Sequence, residues 1–83
     1  MTPALCRAAR GLLDWTQEEL AEHSTVSRST IRDYEGARHD VHRATAAQIV
    51  RAFTDHGVVF LMVSDVGPAV CLVDGDAASN DPG

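Results

Sequence analysis

The sequence predicts a mainly α-helical fold, a small bundle of four to five helices followed by a C-terminal β-hairpin or strand pair. Two observations indicate this class. Up to Gly57 the apolar residues recur at intervals of three and four, which places them on one face of each helix. After Gly57 they form two runs of strand length with turn residues between them. With 83 residues, of which 45% are hydrophobic, the chain can build one modest core.

The first helix should span about residues 3 to 13. Thr2 can cap it, and Pro3 suits its first position because the N–H of that position has no partner within a helix. An apolar stripe at helical spacing runs along one side: Leu5, Ala8, Ala9, Leu12 and Leu13. We expect this side to pack against the rest of the bundle.

Two short helices joined by a tight turn follow. Thr16 and Glu19 have the reciprocal spacing of a capping box, so the second helix should begin at Gln17. Leu20 then falls on its inner face. Ser27 is predicted to cap the third helix in the same way.

The third helix should have one buried side and one outward side. Val26 and Ile31 flank its cap with the spacing of a hydrophobic staple, and Tyr34 lies three positions after Ile31 on the same side. The other side carries polar and charged residues, namely Arg28, Ser29, Arg32 and Asp33. We predict that this outward face is a reading surface for a groove of nucleic acid.

A fourth helix is predicted after a linker over residues 36–42. Thr45 should cap it, and Gly57 should supply its C-terminal stop. Its apolar residues share one face: Ala46, Ile49, Val50 and Phe53. Four short helices would then make one bundle.

A β-hairpin is predicted next, with strands over residues 58–63 and 69–73 around a turn at 64–68. Because both faces are apolar, one should pack on the bundle and the free edge should pair with another chain. We therefore expect a homodimer, with Phe60, Met62, Val70 and Leu72 at its interface. The domains would be a DNA-binding unit (1–57), a dimerisation element (58–73) and a disordered tail (74–83).

The sequence resembles the Xre family of helix-turn-helix repressors, of the Cro and phage-repressor type. The likeness begins in residues 5–10, continues through 12–21 and 26–31, and extends to Gly57. It implies a lambda-repressor-like fold that binds the major groove of double-stranded DNA. Thr25 departs from the family pattern, which usually has Gly in this turn, so a left-handed backbone there would be strained.

The resemblance also implies roles for individual residues. Arg28, Ser29 and Asp33 match positions that commonly face base edges, whereas Gln17, Ser27 and Arg38 match positions that hold the DNA backbone. Arg10 and Glu35 match an ion pair that links the first helix to the end of the third. Thr30 and Arg32 complete the predicted DNA-binding set.

Side-chain chemistry supports Arg28 as the leading candidate for base readout, because a guanidinium can donate two parallel hydrogen bonds to guanine. Asp33 could accept from a cytosine amino group or orient Arg28. Gln17, at a helix N-terminus, could bind phosphate. The alternative is that Arg28 and Arg32 form a solvated face paired with acidic residues, and that Gln17 is an ordinary first-turn residue.

The net charge of −5 is unevenly distributed along the chain. All seven arginines precede residue 55, where seven acidic residues balance them. The deficit comes from residues at or beyond the last predicted helix: Asp55, Asp65, Asp74, Asp76 and Asp81. Arg28, Arg32, Arg38 and Arg43 surround the predicted reading helix, so local charge still favours DNA. We expect weak non-specific affinity and a shallow salt dependence.

Other site chemistries have little support. Cys6 and Cys71 lack metal-binding or redox spacing, so both are expected to be free buried thiols. Trp15 is expected to cover the core rather than stack on a base. No known zinc arrangement matches His23, His39, His42 and Glu35, and no base is placed beside Ser27 or Ser29. We expect no catalytic residue, metal or cofactor, and no enzyme activity.

The expected function is therefore a sequence-specific transcriptional regulator, a repressor that acts as a homodimer on a palindromic operator. No apolar run of membrane-spanning length and no secretion signal is recognisable, so a cytoplasmic location is expected. The alternative is a protein-binding module, such as an antitoxin or antiactivator. In that case the hairpin or the acidic tail would bind a second protein, and DNA binding would be secondary.

Overall fold

A computed structural model describes residues 1–73 of the chain. Four helices precede a two-stranded antiparallel sheet, which confirms the mainly α-helical class. The elements are α1 (Pro3–Leu13), α2 (Gln17–Ser24), α3 (Arg28–Glu35), α4 (Arg43–Thr54), β1 (Val58–Val63) and β2 (Gly67–Leu72). The predicted disordered tail, residues 74–83, lies outside the described residues. Within the described part, no helix is long and apolar enough to cross a membrane.

The predicted caps of the first three helices are confirmed. The Thr2 hydroxyl accepts from the backbone N–H of Leu5 at 3.1 Å. Thr16 and Glu19 form both bonds of the capping box, at 3.0 and 2.9 Å. Ser27 accepts from the N–H of Thr30. These side chains satisfy N–H groups that the first turn of a helix leaves without partners, and they fix where each helix begins.

The predicted bounds of the fourth helix are wrong at both ends. The helix begins at Arg43, with His42 as an N-cap that makes no side-chain capping bond, so Thr45 lies inside it. It ends at Thr54 rather than at Gly57. Arg43 and Ala44 are good helix formers, so the helix extends toward the N-terminus without a polar cap.

Gly57 instead belongs to the turn that leads into β1. Its backbone has φ +92, and a Cβ atom at this position would lie 2.9 Å from the carbonyl oxygen of Val73. The carbonyl of Gly57 also accepts from the N–H of Val73 at 2.7 Å. Glycine is required here because a side chain would meet both an unfavourable φ and the neighbouring backbone.

The core joins all four helices to the first residue of the hairpin. The largest fully buried side chains are Phe53, Leu20, Ile31, Ile49, Val58 and Cys6. Trp15 packs against this core, as predicted, and its ring lies 5.9 Å from that of Phe53. The outward face of α3 is thereby held on a small bundle rather than on a free helix.

The hairpin lies against the bundle at its base and leaves it toward its tip. Val58 is 1% exposed, and Phe60 and Val70 pack against the core, whereas Met62 is 78% exposed. Strand pairing is regular, with Phe60 opposite Val70 and Met62 opposite Pro68. Of the four residues predicted to form a dimer interface, Met62 and Leu72 are exposed, whereas Phe60 and Val70 are half-buried.

The two cysteines differ in environment. Cys6 is buried, as predicted, but Cys71 is exposed, so the prediction of a second buried thiol is wrong. Cys71 lies on β2 opposite Val59, on the sheet face that the bundle does not cover fully. Strand alternation alone did not show which face would be covered.

Candidate nucleic-acid interface

A helix-turn-helix arrangement presents α3 to solvent. Thr25 ends α2 in the left-handed region, with φ 60 and ψ 22, and the chain then passes through Val26 to the cap at Ser27. The side chain of Thr25 accepts from Gln48 of α4 at 3.2 Å, which ties this turn to the bundle. Thr25 thus has the left-handed backbone in which a β-branched residue is strained.

The outward face of α3 carries the side chains that the sequence singled out. Arg28, Ser29 and Arg32 are exposed, and Asp33 is half-buried. Arg32 and Asp33 approach to 3.7 Å, a loose pair in which more than half of the Arg32 side chain remains exposed. Arg28 forms no ion pair with any residue in 1–73, so its guanidinium is available to a ligand.

The start of α3 also holds a cluster of hydroxyl groups. The Ser27 hydroxyl lies 2.7 Å from that of Thr30 and 3.3 Å from that of Ser29. Ser27 accepts from the backbone of Thr30 at the same time. A hydroxyl has one donor and two acceptor positions, so the Ser27 cap can share its hydrogen bonds with a phosphate only by rearranging this cluster.

Behind this face, Glu35 accepts four hydrogen bonds from described side chains. Arg10 donates from Nε and Nη2, each at 2.8 Å, Gln17 donates at 3.0 Å, and the Cys6 thiol donates at 3.2 Å. The ion pair between Arg10 and Glu35 is thus confirmed. Arg7 donates to the backbone carbonyl of Glu35 as well. Residues from α1 and α2 therefore converge on the last residue of α3.

The ionisation of these groups follows from their contacts. Burial alone would raise the pKa of Glu35, but hydrogen bonds from Arg10, Gln17 and Cys6 outweigh burial and hold that pKa below its ordinary value. Burial and the neighbouring Glu35 carboxylate raise the pKa of the Cys6 thiol. Glu35 is thus a carboxylate, and Cys6 is a thiol that serves as a donor rather than as a nucleophile.

The side chain of Gln17 already makes a hydrogen bond within the protein, so it is not a free phosphate ligand. Its side-chain amide donates to Glu35, although it lies at the first position of α2 and at the edge of the outward surface. The amide nitrogen carries two hydrogens, so one remains for another acceptor. Its predicted contact with the DNA backbone is compatible with this bond and stays a prediction.

A cleft of about 450 Å³ opens between the start of α2 and the outward face of α3. Six residues line it: Arg10, Thr16, Gln17, Glu18, Arg28 and Arg32. Arg10 is already paired with Glu35, and the Glu18 carboxylate opposes an anion, so Arg28, Arg32 and the N-terminal end of α2 are the groups that favour an anion in this cleft. We call it the arginine cleft.

Sequence reasoning assigned three of the cleft residues to DNA and missed the other three. Thr16 and Glu18 flank Gln17 in sequence, so adjacency could have indicated them. Arg10 was expected only as the structural partner of Glu35, but its side chain also lines the cleft. Arg38 lies apart from the cleft, exposed, in the segment just after α3.

None of the hydrogen bonds that the Glu35 carboxylate accepts from the described residues comes from a histidine. The ring of His23 stacks on that of Trp15, with the two ring centroids 4.2 Å apart, and the ring of His56 makes an edge contact with each of them. His39 and His42 are exposed in the segment between α3 and α4. Within residues 1–73 no three His, Cys, Asp or Glu side chains are arranged to hold a metal ion.

A family model described as a helix-turn-helix domain matches residues 4–54, which runs from the second residue of α1 to the end of α4. The hairpin lies outside the matched residues. No curated protein matches the sequence. The match thus includes the turn at Thr25, the outward face of α3 and every residue that lines the arginine cleft.

Proposed function

The chain belongs to the helix-turn-helix domain family, and from this premise we propose that it is a sequence-specific transcriptional regulator, a repressor that binds a palindromic operator as a homodimer. The observation that carries the proposal is the exposed α3 face, where Arg28, which has no ion-pair partner within residues 1–73, lines the arginine cleft. One surface thus offers both a group for base edges and a site for backbone phosphate. It acts by binding rather than by catalysis.

Base readout is assigned to the first turns of α3. Arg28 donates two parallel hydrogen bonds to O6 and N7 of a guanine, because its guanidinium is exposed and no acidic side chain in the described part of the chain pairs with it. Ser29 contacts an adjacent base edge. Asp33 accepts from a cytosine amino group, a role that its half-buried carboxylate and its loose contact with Arg32 permit.

Phosphate contacts are assigned to both sides of this face. Gln17 and Arg32 contact a phosphate in the arginine cleft, and Arg38 binds a neighbouring phosphate beyond the end of α3. Ser27 and Thr30 contribute hydroxyl groups. Because few cations take part and the chain has a net charge of −5, non-specific binding is weak and the salt slope is shallow.

Two copies are required to give useful specificity. A single α3 reads only a few base pairs, and helix-turn-helix dimers bind half-sites about one helical turn apart, roughly 34 Å. A palindromic operator then matches the twofold symmetry of the protein. Repression follows where such an operator overlaps a promoter.

The test is selection of bound duplexes from random DNA, followed by fluorescence anisotropy. We expect enrichment of an inverted repeat, and tight binding to the full site but not to one half-site or to a shuffled duplex. Arg28→Ala serves as the matched variant with a damaged reading surface. Equal binding to all duplexes, or no binding at all, would contradict sequence-specific regulation.

A second candidate is a protein-binding module in which DNA binding is secondary. The exposed apolar residues of the hairpin favour it, since Met62 and Val66 are each 78% exposed. The DNA selection separates the two candidates. A module of this kind would enrich no inverted repeat.

A further inference from the structure

Each strand of the hairpin has an outer edge that the intramolecular ladder leaves open. The N–H of Val73 donates to the carbonyl of Gly57, which makes these two residues a hydrogen-bonded pair. In an antiparallel ladder such pairs alternate with pairs that point their N–H and C=O groups outward. In the observed register the outward residues of β1 are Val58, Phe60 and Met62.

The corresponding edge of β2 is interrupted. Pro68 lies opposite Met62, at an outward position of β2, and has no N–H to offer to a further strand. β2 also lies along α1, whereas β1 contacts the end of α4. On β1, Val58 is 1% exposed, so the accessible outward groups are those of Phe60 and Met62.

The composition of β1 specifies what can cover this edge. Its sequence is Val-Val-Phe-Leu-Met-Val, with no charge and no proline. A charged side chain or a proline commonly protects an exposed edge strand from pairing with another chain, and β1 has neither. Leu61 is 44% exposed and Val63 is 40% exposed, so apolar side chains flank the open edge. A second uncharged strand fits it, and another copy of β1 meets it without repulsion between like charges.

We infer that β1 of one chain pairs antiparallel with β1 of a second chain, giving a four-stranded sheet in the order β2, β1, β1, β2. The twofold axis passes between the two Leu61 residues. Phe60 of each copy then exchanges two hydrogen bonds with Met62 of the other, so every accessible outward group is satisfied. This deepens the proposed function, since it rests on the homodimer that the operator requires.

The register can be tested by disulfide formation in the full chain. With Cys71→Ser as background, Leu61→Cys places two thiols in a directly opposed pair whose Cα atoms lie about 4.5 Å apart, which a disulfide can span. Val63→Cys is the matched control on the same face. Its two copies lie two positions on either side of the axis, roughly 13 Å apart along the strands, too far to bridge.

We expect a covalent dimer for Leu61→Cys in dilute solution under mild oxidation, and at least tenfold less for Val63→Cys. Equal cross-linking of both variants would overturn the inference. So would a Leu61→Cys protein that sediments as a dimer but does not cross-link.

Proline substitutions test the edge itself. Met62→Pro removes an outward N–H and leaves the intramolecular ladder intact, so we expect the dimer dissociation constant to rise at least tenfold. In the inferred dimer Leu72 of β2 lies outside the interface, unlike in the expectation from the sequence, so Leu72→Pro removes an outward N–H from β2 and should leave that constant unchanged. Circular dichroism checks that both variants remain folded. The inference fails if Leu72→Pro dissociates the dimer and Met62→Pro does not.

The outcome also separates this inference from the proposed function. A wild-type dimer that binds an inverted repeat, with no Leu61→Cys cross-link, would contradict the β1–β1 pairing and support the proposed regulator function. A cross-linked dimer that selects no DNA sequence would support the β1–β1 pairing and contradict the proposed regulator function. A wild-type chain that stays monomeric even on DNA overturns both.

Discussion

Arg10 of α1 and Glu35 of α3 form a two-point ion pair, with two guanidinium nitrogens each 2.8 Å from a carboxylate oxygen. The Glu35 side chain is 2% exposed, whereas that of Arg10 is 21% exposed. The same guanidinium donates to the carbonyl of Trp15 at 2.9 Å. Arg10 therefore neutralises a buried charge and also fixes the turn that leads into α2.

Arg10→Met should destabilise the protein by about 3 kcal/mol at pH 7, because it leaves the buried Glu35 carboxylate without its cation. Urea denaturation measures the loss. With Arg10 absent, burial dominates and the pKa of Glu35 rises. The deficit should therefore shrink as the pH falls and the carboxyl group becomes neutral. Arg10→Met combined with Glu35→Gln is the control, and it should recover most of the loss at pH 7.

The wild-type protein should lose stability in acid through Glu35. The pKa of this group is lowered in the folded state from an ordinary value of 4.5, so the unfolded chain binds its proton first as the pH falls. The stabilisation is complete above pH 4.5 and disappears as the pH falls through the folded-state pKa. Glu35→Gln should flatten this part of the profile of unfolding free energy against pH. An unchanged slope in that variant would assign the acid sensitivity to other carboxylates.

Arg28→Ala should cost about 1–3 kcal/mol on the selected operator and relax the preference at one base pair, with the fold intact. Anisotropy titrations on duplexes that vary one position at a time provide the measurement. Arg28→Lys keeps the charge but loses the two-point geometry, so it should relax the same position. Unchanged base preference in both variants would remove Arg28 from the reading surface.

Arg38→Ala should weaken binding to all DNA sequences alike. Because its proposed contact is to a phosphate, the slope of log affinity against log salt should fall by about one. Arg51→Ala is the matched control, since Arg51 lies on α4, approaches Asp55 at 3.9 Å and is outside the proposed DNA-binding set. A loss confined to one base pair would instead place Arg38 at a base edge.

Thr25→Gly should stabilise the protein by about 1 kcal/mol, because a β-branched residue is strained at φ 60 and glycine is not. Thr25→Ala loses the same hydrogen bond from Gln48 but retains a Cβ atom, so it should give no such gain. Thermal unfolding of the two variants distinguishes relief of backbone strain from loss of the hydroxyl. Equal melting temperatures would show that the turn is not strained.

Local rules predicted most of the helices because their signals are short-range. The capping box at Thr16 and the cap at Ser27 lie within three residues of the groups they satisfy, so spacing alone revealed them. The start of α4 was missed because His42 makes no side-chain cap for spacing to reveal. The convergence of Cys6 and Gln17 on Glu35 depends on how three helices pack, which local spacing does not encode.

The hairpin shows the same division between local and long-range information. Alternation placed Phe60 and Met62 on one strand face, but the distance of each from the bundle decides that one is half-buried and the other exposed. Cys71 lies opposite Val59 near the base of the hairpin, so its exposure follows instead from the sheet face that it occupies. A strand pattern indicates which face of the strand a residue lies on, whereas the burial of that residue depends on where the neighbouring helix stops.

The donors that reach Glu35 come from 18 to 29 positions earlier in the chain. Such contacts form only after a long loop has closed, so the chain loses configurational entropy before it gains the hydrogen bonds. α2 and α3, which are adjacent in sequence, can meet early, but the wall of the arginine cleft requires α1 as well. A partly folded chain therefore has no complete cleft, and DNA that binds this cleft would select the fully folded chain.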